Sequence, residues 1–238
     1  MLFEKFKDQI HESWWSKLKP FIESKECDRI YDKLKEGSRE GRSIAPLSSD
    51  VWKCFLLTPY DELKVVMLGM CPYHTYKDNL PIADGLLMGC SVSRYPQPSL
   101  TQFYDALEYE FNDGLNLDHY RNPDLSYLAT QGVLMLNVAL TTEKGLPGSH
   151  IELWSGFTKY LFTEVLNGTN VPIIYLGAEA ERVSIYSNSP WQFKLSHPAS
   201  ASYKRETWDS KGTFTKVNEV LKLANNVEIK WLDESLPF

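Results

Sequence analysis

The chain has 238 residues, 43% apolar and 24% charged, which is ordinary globular usage with enough apolar mass for a sizeable core and no disordered-type bias. A formal net charge of −6 argues against a protein that coats nucleic acid through bulk charge, while leaving room for a local basic groove on an acidic body. The cysteines, Cys27, Cys54, Cys71 and Cys90, form no C-x-x-C pair, so neither a zinc site nor a dense disulfide framework is expected, and a reduced setting fits best.

Taken in order, the N-terminal segment carries Phe3, Phe6, Ile10, Trp14 and Leu18 at helical spacing, which predicts one amphipathic helix from 3 to about 18. Pro20 is expected to end it or to start the next. The segment lacks the uninterrupted apolar region of a signal peptide, and no apolar run is long enough to span a bilayer; a soluble cytoplasmic protein is expected. A second helix is predicted over 28–34, followed by a polar, glycine-bearing loop over 36–43. Turn chemistry at 46–49 precedes a short helix with Val51, Trp52 and Phe55.

From Leu63 onward strand and helix alternate. Strands are predicted over 65–69, 132–138, 171–177 and 191–196. Ser99 opens a capping-box pattern with Gln102, and Leu100, Phe103, Tyr104, Leu107 and Phe111 make the apolar stripe of the helix that follows. Trp154, Phe157, Tyr160, Leu161 and Val165 make a second stripe, and Phe214, Val217, Val220, Leu221 and Ala224 a third. This alternation predicts a three-layer α/β/α fold around a short, mainly parallel four-stranded sheet. With no repeat or linker in view, one domain over 1–238 is expected, its first 62 residues a mainly helical cap.

Three of the four strands end in polar residues unlike their apolar bodies: Cys71-Pro72-Tyr73-His74, Asn137, and Ser196-His197-Pro198. In a parallel sheet these ends share one edge, where ligands of α/β proteins bind, so His74, Asn137 and His197 should converge on one pocket. Singly, each has a plainer reading. Asn137 suits a turn or cap, His197 a loop before proline, and Lys204, Arg205 and Lys211 a solvated face unless they hold phosphates. Cys71 beside His74 also reads as a nucleophile.

These residues, in this order and spacing, resemble uracil-DNA glycosylase of the family 1 type. The first motif of that family, Gly-Gln-Asp-Pro-Tyr-His, stands here as Gly69-Met70-Cys71-Pro72-Tyr73-His74, and Gly-Val-Leu-Leu-Leu-Asn as Gly132-Val133-Leu134-Met135-Leu136-Asn137 with Leu140-Thr141 beyond it. Pro98-Ser99-Leu100, Ser149-His150, Leu176-Gly177, His197-Pro198-Ala199-Ser200-Ala201-Ser202 and the closing stretch from Phe214 to Trp231 extend the match.

The resemblance implies an enzyme without metal or cofactor that flips uracil out of single- or double-stranded DNA and hydrolyses its N-glycosidic bond. By position, His197 would donate to uracil O2, Asn137 would pair with O4 and N3, Tyr73 would exclude a C5 methyl, and His74 would sit near the water and a phosphate. Pro98, Ser99, Ser149, His150, Gly177, Ser200, Ala201, Ser202 and Tyr203 fall in the DNA-contacting motifs.

Where the family has its water-positioning aspartate this chain has Cys71, a poor substitute for a carboxylate, so His74 or Asp84 is a candidate to take the water. Met70 replaces a glutamine in the pocket wall. The stacking aromatic falls near Met88 to Cys90, and the leucine wedge on Ala201, with Tyr203 as a possible substitute. Such departures suggest a phage or other mobile-element lineage. They also keep open two rivals: a glycosylase for a modified pyrimidine, and a catalytically silent DNA-binding or replication accessory fold. A monomer with DNA as partner, no membrane association, and a proteinaceous inhibitor or replication partner complete the expectation.

Overall fold

The structure is a computed structural model that describes residues 2–93, 95–112 and 121–233. Its centre is four parallel strands: β1 (Val65–Gly69), β2 (Val133–Asn137), β3 (Ile173–Leu176) and β4 (Gln192–Leu195), in the spatial order β2-β1-β3-β4. Every residue of the first three is buried. Because successive side chains point to opposite faces, burial without alternation means that both faces are covered. β4 is the edge strand, and there only Leu195 is buried. The predicted strands are all present, trimmed by a residue or two at their ends.

The N-terminal stripe is buried as the spacing requires, with Phe6, Ile10, Trp14 and Leu18 all at 8% exposure or less. It is not one helix. A short helix, Leu2–Phe6, gives way to single 3₁₀ turns at Lys7–Gln9 and Glu12–Trp14 before α1 (Trp15–Ile22). The break follows from local bonding: His11 Nδ1 caps the turn by accepting from Ser13 N–H, and His11 N–H donates to Phe55 O instead of continuing a helix. Pro20, expected at a helix boundary, lies inside α1. The side chain of Phe3 lies outside the described part.

α2 runs Lys25–Arg39, longer than predicted, and Ser24 caps it by accepting from Cys27 N–H. It absorbs the first half of the expected polar loop, Gly37 included. α3 (Pro98–Phe111) departs from its predicted start. Its cap is Gln97, without a side-chain bond, while Ser99 pairs with Tyr73 and Gln102 accepts from Trp208 N–H. There is thus no capping box. α4 (Ile151–Tyr160) continues as a wider π-helical turn through Val165, α5 is Pro198–Lys204 and α6 Thr213–Leu223. The predicted stripes are buried in large part. Phe111, at 39% exposure, and Ala224 are exposed at helix ends, where the surface curves away from the core.

One contiguous apolar cluster runs from Phe6 to Trp231. Among the described residues, no helix is long and apolar enough to cross a membrane.

Candidate active site

Parallel register brings the strand ends together. Gly69 at the end of β1 is the register partner of Asn137 at the end of β2, and Leu176 of β3 that of Leu195 of β4. A Cβ on Gly69 would run into the tip of the Leu87 side chain and come within 3.1 Å of Asn137 Oδ1, so a larger residue here would displace that leucine from the strand end. Asn137 is 4% exposed and its Oδ1 has no hydrogen-bond partner. An unpaired buried carbonyl costs about 1–3 kcal/mol unless a ligand satisfies it, so this amide is built to be met by something.

His197 follows β4 by two residues and caps α5. Its Nδ1 accepts the Ala199 N–H at 3.1 Å, and Ser200 Oγ donates to its carbonyl at 2.6 Å. Burial pushes the imidazole down to about 4. A neutral ring whose Nδ1 accepts must carry its proton on Nε2, so His197 offers one N–H donor. The ring's base packs against the end of β3: Gly177 has φ +90°, and a Cβ there would come within 3.1 Å of His197 Cβ.

The loop after β1 is held from the other side. Ala139 N–H donates to Met70 O, Gly148 N–H to Cys71 Sγ at 3.3 Å, and Gly145 N–H to His74 O at 3.0 Å. Burial pushes the Cys71 thiol up, opposed by the Gly148 amide and the Thr142 hydroxyl. Cys71 is therefore a neutral thiol, and neither a carboxylate substitute nor an activated nucleophile. His74 Nδ1 is buried without a partner. Tyr73 OH lies 2.6 Å from Ser99 Oγ, and burial pushes the phenol well above its ordinary range, so the ring is neutral and fixed in place.

Several expected site residues are placed otherwise. Asp84 is 3% exposed, and its oxygens accept from Leu86 N–H and Ser91 N–H, with Lys53 Nζ at 3.4 Å; it is held by its own loop. His150, expected on the DNA, is 8% exposed with its ring nitrogens turned toward Thr141 and Glu143. Ala201 is buried, whereas Tyr203, two residues on, is 86% exposed. Ser202 Oγ donates to Pro98 O, tying α5 to the start of α3, and Ser149 Oγ accepts from Glu143 N–H.

Met88 and Cys90 are buried, Met88 at φ +58° and the Cys90 thiol pushed up to about 11 by burial. The side chain over Gly69 is instead Leu87, which sequence reasoning missed because nothing local to the chain says which residue of 86–90 turns toward the strand end. Lys204, Arg205 and Lys211 are exposed, interleaved with Glu206 and Asp209.

No protein-family model matches this chain. Among curated proteins, it is 32% identical over 230 residues to uracil-DNA glycosylase of Acinetobacter baumannii, covering 94% of this chain and 93% of that protein. It is 33% identical over 199 residues to uracil-DNA glycosylase 1 of Listeria innocua, covering 82% and 86%. Among solved structures, mimivirus uracil-DNA glycosylase superposes with a TM-score of 0.78 at 22% identity, covering 96% of this chain and 92% of that one, and the Nitratifractor salsuginis protein with 0.60 at 18%, covering 95% and 96%. The structural likenesses establish the fold, and the curated relatives extend the identity along nearly the whole chain: it belongs to the uracil-DNA glycosylase family.

Proposed function

We propose that the strand-end edge takes a flipped-out uracil and breaks its bond to C1′ with a division of labour set by these side chains. Negative charge gathers on the departing base, and a neutral donor at O2 stabilises it without first being neutralised by it. His197 Nε2–H is that donor. Asn137, with an unpaired buried oxygen and an amide group beside it, accepts from N3–H and donates to O4, a pairing that cytosine reverses. Tyr73, fixed by Ser99, stands where a C5 methyl would go and so rejects thymine. The glycosidic electron pair leaves with the base, the water oxygen bonds C1′, and the released water proton passes to solvent or to His74.

With Cys71 where the family motif has its aspartate, leaving-group stabilisation carries the larger share of the rate, which falls below that of a site with both halves. Tyr203, exposed on α5 next to the buried Ala201, fills the gap left by the base. Single- and double-stranded DNA are both substrates of this reading. A proteinaceous inhibitor is a second partner in it, supported by the mimivirus variants seen in complex with UGI.

The observation that carries the reading is the Ala199 N–H bond to His197 Nδ1, which fixes the donor nitrogen. The test is incubation with oligonucleotides carrying uracil, thymine, cytosine or a modified pyrimidine, followed by abasic-site cleavage. Cleavage at uracil alone is expected. Binding without release of any base, or release of the modified base only, would refute it.

A further inference from the structure

Behind the water side runs a chain of polar contacts, buried at Trp154, Thr141 and His150 and reaching the surface at Arg42, that the proposed chemistry leaves unused. Trp154 Nε1–H donates to Thr141 Oγ1 at 2.7 Å, and His150 Nδ1 lies 2.8 Å from the same hydroxyl. An indole nitrogen only donates, so the threonine oxygen accepts there and its own hydrogen is free for Nδ1. Glu143 Oε1, a carboxylate oxygen that only accepts, faces His150 Nε2 at 3.6 Å and also accepts from Arg42 Nη1 at 2.8 Å, which places the neutral ring's proton on Nε2 and leaves Nδ1 to accept from the threonine. Arg42 is anchored in turn by Glu40. Burial holds the imidazole below its ordinary range, in keeping with a neutral ring whose two nitrogens have opposite roles.

The segment closed by this chain, from Thr141 to His150, touches the loop after β1. Within it, Gly148 N–H meets Cys71 Sγ and Gly145 N–H meets His74 O, and Met70 Sδ lies 3.7 Å from the point where a Gly148 Cβ would be. We propose that His150 is a positioning residue: through Thr141 it closes the 141–150 loop, which holds Cys71 and His74 in register with the scissile bond. It touches no substrate, in contrast to the DNA contact that its place in the family motif implies. The proposal rests on the glycosylase reading and adds to it a determinant of rate outside the pocket.

The experiment is single-turnover release of uracil from an oligonucleotide by the full chain, as wild type and as Thr141→Val, His150→Ala, His150→Asn and the Thr141→Val/His150→Ala double variant. Thr141→Val and His150→Ala are each expected to lower the saturated rate by roughly ten- to a hundredfold, the scale of a small misplacement at a reacting centre, with half-saturating concentrations within about twofold of wild type. The double variant should be no slower than the slower single, since both break one chain. His150→Asn, whose side-chain oxygen can accept from Thr141, should recover most of the rate.

A Thr141→Val protein at wild-type rate overturns the proposal. So does a His150 defect confined to the half-saturating concentration, which would make His150 a DNA contact. If His150→Ala does not fold, Thr141→Val, which exchanges a hydroxyl for a methyl, decides by itself. A wild-type chain that releases no base would instead overturn the glycosylase reading, and the two failures are thereby told apart.

Discussion

The two ends of the sheet's functional edge differ in kind. At the end of β4, His197 has a fixed tautomer, a capped helix behind it and a glycine beneath it. At the end of β1, the corresponding place holds Cys71, a half-buried neutral thiol whose sulfur accepts the Gly148 N–H. One end holds an imidazole with its proton fixed on Nε2, the donor of the proposed reaction; the other holds a thiol and not a carboxylate. For a dissociative reaction this asymmetry is tolerable, because stabilising the leaving base lowers the barrier whether or not the water is well held.

The contrast is broken most sharply at His197. His197→Ala removes the donor to the leaving base and is expected to lower the single-turnover rate by about 10²–10³, the scale of deleting one preorganised oxyanion donor. A loss under tenfold in the abasic-site assay would place the main stabilisation elsewhere.

At the other end the sign reverses. Cys71→Asp supplies a carboxylate that can accept the Gly148 N–H and hold water, and a gain of at least about tenfold is expected, below the 10²–10⁴ range of a fully placed general base. An unchanged or lower rate would mean that the site has been repurposed around the thiol.

Tyr203 tests whether the α5 end also serves DNA. Tyr203→Ala should leave the melting temperature unchanged, because the ring is exposed, and should raise the half-saturating concentration of duplex substrate by roughly tenfold, the scale of one lost aromatic stacking contact. Equal affinity for duplex in the two proteins would remove Tyr203 from the reading.

The smallest effect is the pH response of His197. Its folded value, about 4, lies below the ordinary imidazole value, so the unfolded chain takes up the proton first as pH falls. Its contribution to stability is complete above about 6.5 and is lost progressively toward about 4. Nitrogen-15 shifts of the ring should show an unprotonated Nδ1 down to about pH 5, and titration near 6.5 would contradict the buried, capped geometry.

Much of this was legible along the chain. Apolar runs ending in Cys-Pro-Tyr-His, in Asn and in His-Pro mark strand ends, and parallel order puts strand ends on one edge; the register of Gly69 with Asn137 is the outcome. What was not legible is how a loop spends its own polar groups. Asp84 reads as an available carboxylate and is held by two backbone amides and Lys53; Ser99 reads as a cap and holds Tyr73; His150 falls in a DNA-contacting motif and faces inward.

By itself the sequence determined the strands, the buried stripes and the residue types at the strand ends, because periodicity and composition are local properties of the chain. Only the tertiary structure decided which polar atoms remain free for a substrate, His197 Nε2 and Asn137 Oδ1 rather than Asp84, and which side chains stand where: Tyr203 rather than Ala201 at the surface, and Leu87 rather than Met88 over Gly69. The physical reason is that a buried hydrogen-bonding group takes the nearest partner in space. Those partners come from segments far apart in the chain.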